Sequence, residues 1–235
     1  MADSAPATVT APQLFSVHEA PHGGPEFPLN AAEQARLASM ADRGRRGTYA
    51  ASRQLWRRGA LHFTHTHGLS CPDFTRLAPR GAITPRGAAF RSSLSHTNTL
   101  ILLGFNQGAI GVDAEPLNRR PPWQALARRW FSSPETDWLQ AQAQPADAFL
   151  TLWTLKEAWI KATSRGMAGH LQALTFDPLR NQLILDQPDP TWCLATTTAH
   201  SHRIGVAWQG DATPGWWHDG MSCEAHWYFH EVAAQ

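Results

Sequence analysis

An α+β fold built as two lobes of similar plan is what this sequence predicts, and three observations predict it. Each half of the chain runs helical patterns first and strand patterns afterwards. The two runs meet near Gly111, and no regular βαβ alternation appears. Hydrophobic residues make up 43% of the 235, with eleven Trp and ten Phe, enough apolar surface for a sizeable core. The expected organisation is a loose tail over 1–12, an N-terminal lobe over 13–112 and a C-terminal lobe over 113–235.

In chain order, "QLFSVHEA" reads as a strand and is followed by a Pro/Gly-rich loop from Pro21 to Pro28. Helical patterns cover Asn30 to Met40 and Tyr49 to Leu61, the second closed by Gly59 or Gly68. Beyond Pro72 the runs "FRSSLSH", "NTLILLGFN" and "GAIGVDAEP" read as strands parted by turn residues. Helix returns in "PWQALARRWFSSPETDWLQAQAQ" and from Asp147 to Arg165, with Asp147 as cap and Gly166 just past the end. Strands close the chain at "LQALTFDP", "NQLILDQ", "TWCLATTTA", "HRIGVAWQG" and "EAHWYFHE". The pair Trp216–Trp217 falls in a Pro/Gly-flanked stretch and reads as a loop that shields a core edge or meets a partner.

Composition narrows the function classes. No apolar run approaches a membrane span, and "MADSAPATVTAP" lacks the marks of a signal peptide. Cys71, Cys193 and Cys223 are scattered and form no C-x-x-C, which suits reduced thiols in a cytoplasm. Net charge is +1, but residues 1–112 carry eleven Arg against six acids and the remainder nine Lys and Arg against thirteen acids. The basic excess gathers in "DRGRRGTYAASRQLWRR", which suits a solvated face, a phosphate-rich small molecule or nucleic acid. Near-zero net charge and the lack of a binding motif weigh against nucleic acid.

Two clusters carry chemistry. Of twenty Lys and Arg, only Lys156 and Lys161 are lysine, and both lie in "LWTLKEAWIKATSRGM". At about 100° per residue, Phe149, Leu152, Trp153, Trp159 and Ile160 share one arc, with Lys156 in its middle and Glu157 at its edge. Lys161 follows one turn after Glu157. A charge on an apolar face needs a partner, so a buried Lys–Glu pair is one reading. The avoidance of lysine elsewhere suggests another, in which a compact or proton-yielding ammonium is required and Arg does not substitute. The second cluster is "GAIGVDAEP": on a strand, Asp113 and Glu115 point to one face, and hard oxygen ligands so placed suit Mg²⁺. Surface or salt-bridge acids are the plainer alternative.

The succession "FRSSLSHTN", "IGVDAEP", "FSSPETDWL" and "LWTLKEAWIKATSRGM" resembles the Sfp-type 4'-phosphopantetheinyl transferases, in order over about Phe90 to Asp177. The resemblance implies a pseudo-dimeric fold of two α+β lobes, with coenzyme A in the cleft between them. It implies transfer of phosphopantetheine from coenzyme A to a serine of an apo acyl or peptidyl carrier protein, releasing 3',5'-ADP. Asp113, Glu115 and Glu157 match the family's magnesium-binding acids, and Glu157 also matches the residue proposed to activate the carrier serine. Lys156 and Lys161 match lysines facing the diphosphate, the second a candidate proton donor to the leaving group. Ser95 and His96 match the element that contacts nucleotide phosphates, and "ASRQLWR" makes Arg53 a phosphate contact. Arg45 and Arg46 are vaguer candidates for the 3'-phosphate. The family's G-[KR]-P triplet is missing from "LAPRGAITPRG", where Arg80 is the expected replacement. A non-catalytic coenzyme A or carrier-binding protein on the same scaffold is the alternative, although a binder needs cations more than clustered carboxylates. Two complete lobes in one chain imply a monomer.

The histidines of "LHFTHTHG" (His62, His65, His67) have spacing that a transition metal could use, but no Cys or acid accompanies them. Ser95 and His96, adjacent on a strand, face opposite ways and cannot form a nucleophile–base dyad.

Overall fold

Among the described residues, eleven strands and five α-helices alternate in runs rather than singly. The computed structural model describes residues 11–18, 27–79, 84–119, 121–165, 171–186, 189 and 191–233; the expected Arg80 and Gly166 lie outside them. The first run is β1 (Gln13–Val17), α1 (Ala31–Ala38), α2 (Arg43–Thr66), β2 (Arg91–His96), β3 (Ile101–Asn106) and β4 (Ile110–Pro116). The second is α3 (Trp123–Trp130), α4 (Ser133–Gln140) and α5 (Pro145–Ala162). It continues with β5 (Leu174–Asp177), β6 (Gln182–Leu185), β7 (Trp192–Ala199), β8 (His202–Gln209), β9 (Gly215–His218), β10 (Met221–Cys223) and β11 (Tyr228–His230).

The strands form a five-stranded sheet in the order β10-β9-β1-β3-β2, a four-stranded sheet β11-β7-β8-β4 and the hairpin β5-β6. The two large sheets face each other across an apolar layer that includes Leu14, Leu102, Val112, Ile204 and Trp208. On the outer face of the first, α2 packs Trp56 and Phe63 among Phe90 and Phe105. On the outer face of the second, α5 packs Leu155 and Trp159 with α3, α4 and the β5-β6 hairpin. Covered on both faces, β3 is buried along its whole length.

Several boundaries differ from the expectation for physical reasons. Asp42 caps α2 by accepting from Arg45 N at 2.7 Å, so the helix starts before its glycines and carries the histidine run in its last turns. Pro145 opens α5 two residues before Asp147, which sits in the first turn instead of capping it. A division at 112/113 cuts through β4. Pro12, expected in the tail, is buried and accepts Gly215 N at 2.9 Å. The Trp216–Trp217 stretch is not a loop: it is β9, which runs parallel to β1 inside the first sheet. Trp216 is 2% exposed, and Trp217 stacks on Phe15. Among the described residues no helix is long and apolar enough to cross a membrane, and the three cysteines are free thiols.

Candidate active site

Strand β4 lies at the edge of the second sheet, against edge strand β2 of the first. Its outward N–H groups would be costly if left bare. Two serines of β2 satisfy them: Ser93 Oγ accepts from Val112 N at 3.0 Å and Ser95 Oγ from Ala114 N at 3.3 Å. Ser95 Oγ then donates to Asp113 Oδ1 at 2.9 Å, so the seam between the sheets fixes the first acid of the site.

Helix α5 reaches this seam because two glycines let it lie directly on the strands. A Cβ at Gly111 would stand 1.9 Å from the Ala158 carbonyl oxygen, and one at Gly205 would stand 2.6 Å from Thr154 backbone atoms. With Thr154, Ala158 and Ala162 on the sheet, Glu157 and Lys161, one turn apart, face the cleft beside β4. The Lys161 ammonium donates to Asp113 Oδ1 at 2.7 Å and to Val112 O at 3.1 Å. Glu115, two residues along β4, is paired with Arg119.

These groups line one cavity of about 640 Å³ that includes Ser95, His96, Asp113, Glu115, Glu157 and Lys161. Its electrostatics are those of too many acids in too little water. Burial, then the Asp113 charge, pushes the Glu157 carboxyl up to about 7, with the Lys161 ammonium opposing. Burial also raises Glu115, against its hydrogen bond from Arg119. Asp113 Oδ2 is buried and meets no donor. A buried carboxylate oxygen without a partner, in a cavity lined by two further carboxylates, is the arrangement a hard divalent cation relieves. Beyond His96 a second cavity of about 1030 Å³ opens, sharing Leu94, His96, Thr97 and Asn98 with the first and walled by Arg43, Arg45 and Tyr49.

Of the residues expected from the sequence, Asp113, Glu115, Glu157, Lys161, Ser95 and His96 are together, and Arg45 lines the adjoining cavity. Arg46 is exposed on α2 and lines neither. Lys156, expected to face a diphosphate, is instead wholly buried on the other side of α5. Its ammonium pairs with Glu135 Oε1 at 2.9 Å, donates to the carbonyls of Leu171 and Leu174, and sits 4.6 Å from the centre of the Phe131 ring. Burial lowers its proton affinity, with Glu135 opposing. Arg53, expected to touch phosphate, is 3% exposed and turned to Glu33 at 3.6 Å. The sequence reading missed three wall residues. Arg119 follows Glu115 by one short turn, Trp153 precedes Glu157 by one helical turn, and Arg43 opens α2; the first two spacings were available as signals. Among the described residues His62, His65 and His67 do not converge as a ligand set: His62 packs on Trp217, and His67 contacts Gln13 at 3.3 Å.

Comparison with known proteins adds the following. Residues 109–207 match the family model described as ACPS, 4'-phosphopantetheinyl transferase superfamily. The 4'-phosphopantetheinyl transferase psf-1 of Bacillus pumilus is 34% identical over 89 residues, 37% of each chain. HetI of Nostoc, another 4'-phosphopantetheinyl transferase, is 30% identical over 135 residues, 54% of this chain and 55% of its own. AcpT of Salmonella typhimurium is 37% identical over 78 residues, covering 32% and 41%. This chain therefore spans about 34 to 55% of the length of the curated relatives it matches. The holo-[acyl-carrier-protein] synthase of Thermotoga maritima overlaps 46% of this chain and 65% of its own at a TM-score of 0.35 and 18% identity, so the fold rests on this chain's own strands and helices.

Proposed function

We propose that this chain, whose residues 109–207 match the 4'-phosphopantetheinyl transferase superfamily model, is a member of that superfamily and moves the 4'-phosphopantetheine of coenzyme A onto a serine of an apo acyl or peptidyl carrier protein, releasing 3',5'-ADP. One observation carries the reading: three carboxylates and one ammonium, drawn from β4 and α5, line a single cavity at the seam of the two sheets.

Asp113, Glu115 and Glu157 would hold Mg²⁺, whose fit is argued by the partnerless Asp113 Oδ2 and the mutual repulsion of the three acids. When bound, that ion supplies Lewis-acid neutralisation of the diphosphate oxygens. The rest falls to the chain itself. Glu157 takes the proton from the carrier serine, directly or through a water, as the serine oxygen bonds to phosphorus and the bond from phosphorus to the departing 3',5'-ADP oxygen breaks. Lys161, held by Asp113 and the Val112 carbonyl, offers a proton or charge to that oxygen. Arg43, Arg45 and His96 in the adjoining cavity suit the nucleotide phosphates. Lys156 and Arg53, both buried, act on the frame and not on the substrate. Both cleft walls come from one chain, which supports a monomer as the working unit, and three free thiols suit a reducing compartment such as the cytoplasm.

The test is intact-protein mass spectrometry of fatty-acid, polyketide and peptide apo carriers with coenzyme A and Mg²⁺. One phosphopantetheine mass should appear on the carrier serine, and Glu157→Gln should slow its appearance by at least about 100-fold with the fold retained. Well-folded protein that modifies none of the carriers sinks the reading. Calorimetric binding of coenzyme A with no transfer would leave a binding protein on the same scaffold.

A further inference from the structure

Three histidines far apart in sequence meet where the two sheets close on each other. His18 follows β1, His200 stands in the β7–β8 turn and His218 ends β9, and one ligand nitrogen from each lies within 4.8 Å of the others. We propose that these three imidazoles form a binding site for a divalent transition metal, Zn²⁺ by its preference for nitrogen and carboxylate donors in a tetrahedron.

The surroundings are those of a metal-binding imidazole set. The His18 Nδ1–H donates to the Thr99 carbonyl at 3.3 Å, which fixes the tautomer and leaves Nε2 with its lone pair. On the other side, His218 Nδ1 is held by Ser16 Oγ at 2.8 Å, itself anchored by Trp216 Nε1 at 2.8 Å. His218 Nε2 lies 3.1 Å from Asp219 Oδ2, a carboxylate that borders the set without joining it. His200 is held in the left-handed region at φ 49, next to Ser201 at φ 59, a two-residue turn that glycine or asparagine would fill at less cost. Its ring stacks on that of His218, 3.6 Å between centroids.

His218 lies in the first sheet and His18 directly follows its strand β1, whereas His200 stands in a turn of the second, and His18 also lines the larger cavity. A bound ion therefore clasps the two sheets at the end of the cleft. This site lies apart from the three acids and stands without the transferase reading.

The experiment uses untagged full-length protein, stripped with chelator and titrated with Zn²⁺ and with Co²⁺, free of coenzyme A and carrier. One ion per chain should bind, Co²⁺ should show the intense visible bands of tetrahedral coordination, and Zn²⁺ should raise the melting temperature. His218→Gln should weaken binding by more than about tenfold. His200→Asn should do the same while keeping the turn, because Asn tolerates the left-handed region. His62→Ala should leave it unchanged. No binding by the wild type, six-coordinate Co²⁺ spectra, or equal binding by His200→Asn would each overturn the site.

Discussion

The two large sheets are each backed by a long helix anchored with the same device, and the two differ in the cation they use. In the first, Asn30 caps α1 and Glu33 closes a capping box, yet Glu33 is wholly buried and takes the Arg57 guanidinium of α2. In the second, Ser132 caps α4 and Glu135 closes the box, again wholly buried, and takes the Lys156 ammonium of α5. Each glutamate ties a short helix to a long one and leaves the long helix's next residues free to face elsewhere. The difference lies in how well each cation is satisfied. Lys156 has three N–H donors and three oxygens around it, from Glu135, Leu171 and Leu174. Arg57 leaves Nε without an acceptor, and the neighbouring Arg53 leaves Nη1 bare. An ammonium fits a point where three acceptors converge, and a planar fork does not. Packing thus supplies a reason for one of the two lysines in an arginine-rich chain to stand here.

The comparison breaks most visibly at Lys156. Lys156→Met should destabilise by about 3–5 kcal/mol in urea unfolding, because Glu135 would keep its buried charge without a counter-charge. Five residues on, Lys161→Met should leave the unfolding transition cooperative and lower carrier modification by about 100-fold, separating the structural lysine from the cleft lysine. Exchanging the cations tests the satisfaction argument. Lys156→Arg should cost about 2 kcal/mol from crowding and orphaned donors, whereas Arg57→Lys should cost less, since donors are already unmet there. The smallest effect is an acid one confined to the second sheet, whose edge strand β11 is held by His230 on Thr196 Oγ1 at 2.9 Å. Burial, then the Arg203 charge, lowers the His230 pKa to about 4. The folded protein thus favours the neutral ring. Its contribution is present above about pH 6.5 and is lost as pH falls from there towards 4, amounting to about 1 kcal/mol once fraying of β11 is allowed for. His230→Gln should flatten that part of the stability–pH profile.

Local periodicity made much of the site legible. A strand's two-residue repeat put Asp113 and Glu115 on one face, and a helical turn put Glu157 beside Lys161. The same repeat correctly set Lys156 on the apolar arc, but its partner came from a capping box in another helix, which no pattern within α5 reveals. Arg53 failed for the same reason: "ASRQLWR" shows a helix face, not the buried Glu33 that claims it. The histidine run His62–His67 attracted notice because its members are neighbours in sequence. The set that converges, His18, His200 and His218, depends on three strand ends meeting, and β9 was itself hidden as a short Trp pair whose sheet partner lies at the opposite end of the chain.

That pairing of β9 alongside β1 also orders the life of the molecule on the ribosome. Until the stretch through His218 has emerged, β1 has β3 on one flank and a bare edge on the other, so the half that is synthesised first must wait for the half synthesised last. Growth of the chain and completion of its first sheet therefore run in opposite directions, and an interrupted translation product would be released with a sticky margin.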